Sequence, residues 1–113
     1  METIFKAIFA STQDICDEFS IEQSELEPYD VLYAYYDYAA YDGNALVILQ
    51  KKDDKSLWEV HAGHCSCYGL EDQFYPELSA VEAIDARLSA ECKYMSDFLS
   101  VEDWATVSAS LRN

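Results

Sequence analysis

Residues 61–67, His-Ala-Gly-His-Cys-Ser-Cys, bring two histidines and two cysteines into seven consecutive positions. Imidazole and thiolate are zinc ligands, and a cysteine whose proton a histidine can take is a nucleophile, so this stretch is where chemistry is sought first. Zinc sites take four ligands in a tetrahedron, usually as pairs two to four residues apart on separate turns. His61, His64, Cys65 and Cys67 have the right donors but crowded spacing, and neighbours such as His64 and Cys65 ordinarily point in different directions. A subset of His64, Cys65 and Cys67, completed by Cys16, Cys92 or an acid, is the arrangement that fits zinc. Without it no cofactor is expected.

Nucleophilic catalysis at Cys65 or Cys67 would need thiolate at neutral pH, and a strongly negative surrounding field raises a thiol's pKa. The chain is therefore read as non-enzymatic. The plainer reading of the segment is small buried thiols and half-exposed histidines in the loop leaving a strand. No phosphate-binding glycine loop, HExxH or GxSxG motif occurs. The acids at 17, 18, 22 and 25 lack the spaced calcium-loop pattern with its central glycine.

That negative field is the dominant global property. Twenty-two acidic residues face 7 basic ones, for a net charge of −15. Between Lys6 and Lys51 there is no basic residue, whereas nine acids occur: Asp14, Asp17, Glu18, Glu22, Glu25, Glu27, Asp30, Asp37 and Asp42. Such a surface repels nucleic acid and anionic membrane, whose binding needs lysine and arginine. The macromolecular partner it suits is a basic protein, although solubility alone would also account for the acidity.

The elements that must hold these residues can be read from periodicity. A chain of 113 residues, half of them apolar, is expected to form one domain over 1–113. No apolar run approaches the ~20 residues of a membrane span, and the amino-terminal stretch is a poor secretory signal. A cytoplasmic protein with reduced thiols is expected.

Ile4, Phe5, Ile8, Phe9, Ile15, Cys16 and Phe19 fall at helical spacing and predict a helix over roughly 3–19. A restart at Ser11 through a capping box with Asp14 is the alternative. Residues 20–28 read as a polar turn. Residues 31–38, 45–51 and 57–61 read as three strands, joined by an Asp42-Gly43 hairpin turn and a polar turn at 52–55. Ser79 with Glu82, and Ser100 with Asp103, predict two further helices, with a short helical piece over 93–99 between them.

The expected fold class is thus α+β: a three-stranded antiparallel meander packed against helices from the amino- and carboxy-terminal parts, on one sheet face. The other face would then be aromatic and open, presenting tyrosines from 33–41. Such a face, or an unpaired edge strand, could equally serve self-association into a homo-oligomer.

Residues 63–77, "GHCSCYGLEDQFYPE", following the tyrosine-rich "YAYYDYAAYDGNALVI", resemble a family of small proteins of tailed phages and prophages. The resemblance covers roughly 29–86 and is most specific over His64–Glu71, with Gln73, Pro76 and Glu77 beyond. The family has a polar residue where His61 stands, which argues against a shared zinc tetrad, and it carries no established activity. What the resemblance implies is a phage context, in which small acidic proteins occupy the nucleic-acid groove of a host defence protein, as anti-restriction and anti-CRISPR inhibitors do. Carboxylates on a rigid surface imitate a duplex, which carries one negative charge per ~1.7 Å of axis.

On this expectation Asp14, Asp17, Glu18, Glu22, Glu25, Asp37 and Asp42 supply the charge of a DNA mimic. Tyr35, Tyr36, Tyr38 and Tyr41 supply aromatic anchors, a residue type enriched at interface centres. The alternative is a zinc- or thiol-dependent regulatory protein centred on 61–67.

Overall fold

The computed structural model describes residues 3–7, 9–39, 42–64, 69–94 and 101–111. The fold is α+β, with a five-stranded mixed sheet and four helices. The strands are β1 (Ile4–Ala7), β2 (Tyr29–Ala39), β3 (Asp42–Lys51), β4 (Leu57–His64) and β5 (Glu77–Ser79), in that order across the sheet. The helices are α1 (Thr12–Phe19), α2 (Gln23–Leu26), α3 (Val81–Tyr94) and α4 (Val101–Leu111). The expected meander is present as β2-β3-β4, but it is the middle of a larger sheet. β1 adds in parallel to β2, Ile4 opposite Tyr33 through Ala7 opposite Tyr36, and β5 adds antiparallel to β4.

The amino-terminal reading is corrected: 3–19 is not one helix. Ile4–Ala7 is an edge strand, and the helix starts at Thr12 behind Ser11, whose backbone is extended and whose Oγ accepts from the Asp14 N–H at 3.3 Å. That was the alternative start. A parallel neighbour needs a crossover, which α1 and α2 supply between β1 and β2. α1 ends where Ser20 turns left-handed at φ 57° and donates to the Cys16 carbonyl. The "polar turn" that follows contains α2, a single turn closed when the Glu22 N–H donates to Glu25 Oε2 at 3.1 Å.

The expected turn position is also corrected. Asp42 pairs with Ala39 and Gly43 with Tyr38, so both belong to β3 rather than to the hairpin turn. The apolar 45–49 run must lie beside 31–36 with both faces matched, and that register sets where the strands can reverse. The second turn falls where expected, and there Lys55 adopts φ 63° and Asp54 Oδ1 accepts from both the Ser56 N–H (3.0 Å) and Oγ (2.6 Å).

Helices cover both sheet faces, not one. On the first face Val31, Ala34, Tyr36, Ala45, Val47, Leu49 and Val60 meet Ile15, Cys16 and Phe19 of α1, Leu26 of α2, and Phe9 and Leu70. On the second, Leu32, Tyr33, Leu46, Ile48 and Leu57 meet Ile84 and Leu88 of α3 and Val107 and Leu111 of α4. A bulge in β2 joins the two patterns: Val31 pairs with Leu49 but Tyr33 with Ile48, which leaves Leu32 over. Two successive residues, Leu32 and Tyr33, therefore enter the second core, and the alternation restarts with Ala34 in the first.

The helical stripes Val81/Ile84/Leu88 and Trp104/Val107/Leu111 face inward as their spacing predicts, and the Trp104 indole N–H donates to Asp85 Oδ1 at 3.1 Å, tying α4 to α3. Ser79 is not the cap of α3, because its backbone belongs to β5 opposite Leu57; the helix begins at Val81. Lys93 and Tyr94 close α3, and the rest of the expected 93–99 piece and its Ser100 cap lie outside the described residues.

Candidate functional site

The α1–α2 layer gathers the expected acids. Along α1 the alternation of inward Ile15, Cys16 and Phe19 with polar positions leaves Asp17 exposed and Asp14 and Glu18 half-buried. Glu22 and Glu25, at the head of α2, are exposed. Local hydrogen bonds fix several of these carboxylates without neutralising them. Asp14 Oδ2 accepts from the Ala10 N–H at 2.8 Å, Asp17 Oδ1 from Gln13 Nε2 at 2.8 Å, and Glu25 Oε2 from the Glu22 N–H. Gln13 Oε1 in turn accepts from Gln23 Nε2 at 2.7 Å, which links α1 to α2. Among the described residues no lysine, arginine or histidine forms a salt bridge with Asp14, Asp17, Glu18, Glu22 or Glu25.

The field of this layer reaches the core beneath it. Burial pushes the thiol of Cys16 above its ordinary value, and the carboxylates of Asp17 and Glu25 push it the same way.

The tyrosines do not form the open face expected of them. Tyr36 is 3% exposed, with its ring centroid 5.5 Å from that of Phe9, and Tyr35 is half-buried against the second core. Both pack into the cores on their side of the sheet, so neither is an exposed anchor. Asp37 and Tyr38 lie at the end of β2 opposite Asn44 and Gly43, and Asp42 begins β3; the positions of their side chains, and Tyr41 altogether, lie outside the described residues.

The histidine–cysteine segment divides at the end of β4. His61 is exposed and its Nε2 lies 3.2 Å from Glu59 Oε1. His64 is the last residue of β4, opposite Gly43; its side chain, with Cys65 and Cys67, lies outside the described residues. Among the described residues no three histidine, cysteine or acidic side chains converge as a metal ion would require.

Two features went unforeseen. The first is Glu59, 4% exposed in β4, which accepts from Arg87 of α3 and neighbours His61. It shares a strand face with Leu57, but nothing local points to a partner 28 positions away.

The second is a cleft of about 230 Å³ between the α1–α2 corner and the loop leading to β5. Phe19 and half-buried Phe74 meet edge-on at 5.5 Å within its walls, beside Ile21. Glu25, Asp72 and Tyr75 stand on its exposed side. The loop is held by Gln73, whose Oε1 accepts from the Gly63 N–H and whose Nε2 donates to the Gly69 carbonyl, each at 3.0 Å. Asp72 turns the chain left-handed at φ 62°.

No family model matches the chain. Nor does it match any curated protein or solved structure. Among the described residues no helix is long and apolar enough to cross a membrane.

Proposed function

We propose that the chain is an acidic interaction protein that occupies the basic, nucleic-acid-binding cleft of a host defence protein and so inhibits it. The observation that carries this reading is the α1–α2 layer, where Asp14, Asp17, Glu18, Glu22 and Glu25 lie on two hydrogen-bond-linked helices with no described cation paired to them. An uncompensated and ordered set of carboxylates attracts a cationic cleft, steers its approach and competes there with phosphate. A defence protein is proposed as the target on the expected resemblance of residues 29–86 to phage proteins. With Tyr36 buried and Tyr35 half-buried, this reading rests on the helical layer rather than on the sheet.

The experiment is capture of host proteins on the immobilised chain at low and high salt, with identification by mass spectrometry and competition by duplex DNA. The reading expects nucleic-acid-binding proteins that are released by salt, displaced by duplex, and lost when Asp17, Glu18, Glu22 and Glu25 are together changed to their amides. Capture indifferent to salt, duplex and those substitutions overturns it.

A further inference from the structure

We infer that the cleft between the α1–α2 corner and the 70–76 loop is a receptor for one arginine side chain of the partner protein. This deepens the proposed function and rests on it for the identity of the partner, but not for the chemistry of the cleft.

Size and lining together select the ligand. At about 230 Å³ the cleft lies below the ~300–1,000 Å³ typical of small-molecule pockets, and is scaled to a side chain. Half-buried Ile21 and Phe74, backed by the buried Phe19, give the otherwise polar cleft a small apolar patch against which the methylene stem of a long cationic residue can lie. Glu25, from the head of α2, and Asp72, from the loop, bring carboxylates to the same opening from separate segments. No lysine or arginine of the chain is among the described residues that line it.

Tyr75 completes the set. It is 71% exposed, the most exposed large hydrophobic side chain among the described residues, and it sits at the cleft. An aromatic ring beside two carboxylates suits guanidinium above ammonium, because the planar group can stack on the ring while its N–H fork meets carboxylate oxygens. A second copy of the chain is a poor occupant: with a net charge of −15 its approach is repelled.

The test uses the full chain labelled with ¹⁵N and three short glycine–serine peptides carrying arginine, lysine or the neutral isostere citrulline. The arginine peptide is expected to shift the amides of Ser20, Glu25, Asp72 and Tyr75, the lysine peptide more weakly, and the citrulline peptide not at all. Tyr75→Ala, which alters no charge, should weaken arginine-peptide binding about two- to fivefold, the range of an exposed cation–π contact. The pair Glu25→Gln/Asp72→Asn should weaken it well beyond Asp17→Asn/Glu22→Gln, which removes the same formal charge outside the cleft. Amides can replace both carboxylates without strain. The amide oxygen introduced by Glu25→Gln can still accept from the Glu22 N–H, and asparagine tolerates the left-handed backbone of Asp72.

Equal losses for the two pairs, or no effect of Tyr75→Ala, overturn the arginine receptor and leave the diffuse charge reading standing. A cleft that binds the arginine peptide as described, in a chain that captures no nucleic-acid-binding protein, keeps the receptor and removes the proposed function.

Discussion

Glu59 of β4 and Arg87 of α3 form an ion pair across the interface between the sheet and the carboxy-terminal helices. The Glu59 side chain is 6% exposed and that of Arg87 38%, so the carboxylate is buried while the guanidinium reaches water. His61, two residues along the same strand, is the second group at Glu59 Oε1. On its far side Glu59 is in register with Glu77 of β5, which adds no positive charge. The only described arginine contact of this carboxylate therefore also joins α3 to the sheet.

Arg87→Met should destabilise the fold more than an ordinary surface substitution. It leaves Glu59 buried with, among the described residues, an exposed histidine beside it, and the expected loss is on the order of 2–3 kcal/mol, below the ~3–5 of a fully buried pair because Arg87 is partly solvated. The double change Glu59→Leu/Arg87→Met should recover most of that loss, since the carboxylate is no longer stranded. Urea denaturation of the two variants measures both. Equal stability of Arg87→Met and the parent would mean that water already compensates Glu59.

Gln73→Ala should loosen the loop that carries Asp72 and Tyr75. Two hydrogen bonds are lost, to the Gly63 N–H and the Gly69 carbonyl, at about 1 kcal/mol each. Both lie at the cleft's supporting loop, so amide exchange at Gly63 should accelerate even where global stability falls little. Hydrogen exchange read by NMR distinguishes this local opening from a global one.

The residues themselves explain which parts of this structure can be read from sequence. The run Ala45–Leu49 is apolar at every position because both faces of β3 are buried, a signature of a central strand. Residues 31–36 resist a simple alternation because the bulge at Leu32 shifts its phase, and a bulge has no local signal here. Ile4, Phe5, Ile8 and Phe9 satisfy a helical period, yet Ile4–Ala7 is a strand. Its pairing with Tyr33–Tyr36, nearly thirty residues on, outweighs local preference.

β5, only three residues of which Leu78 is 66% exposed, owes its conformation to the neighbouring β4 rather than to its own composition. The acids of α1 were legible because charge and the Ser11 cap are local properties, whereas α2, with Glu22 and Glu25 at its head, read only as a polar turn. The cleft was not, because Glu25 and Asp72 are brought together only by folding.

Cys16 should behave as an inert thiol. It is 3% exposed, and burial, Asp17 and Glu25 all hold it protonated beyond the ordinary thiol range. Alkylation by iodoacetamide near pH 8 should be slow in the native state and accelerate sharply in urea, as peptide mapping by mass spectrometry would record. The native state binds this proton more tightly than the unfolded chain. Its contribution to stability is therefore complete below the unfolded thiol value of about 8.5, and is lost as pH rises from there toward the raised native value. Cys16→Ala should flatten that alkaline limb; an unchanged limb would assign it to other groups.

Asp54 gives the opposite sign. The Ser56 hydroxyl and then the Ser56 N–H donate to its carboxylate and hold it below the usual aspartate range, with Lys51 assisting. The stabilisation of this turn is present above the unfolded value, about 3.9, and is lost as pH falls through the depressed native value. In Ser56→Ala the hydroxyl donor is gone while the N–H remains, so the Asp54 midpoint should move part of the way back up. The same hydroxyl accepts from the Trp58 indole N–H at 2.8 Å, and the indole resonance should shift in the variant as an internal control. Side-chain carboxyl titration by NMR reads both effects. An Asp54 midpoint that stays put in a variant whose indole signal has moved would show that the hydroxyl does not set it.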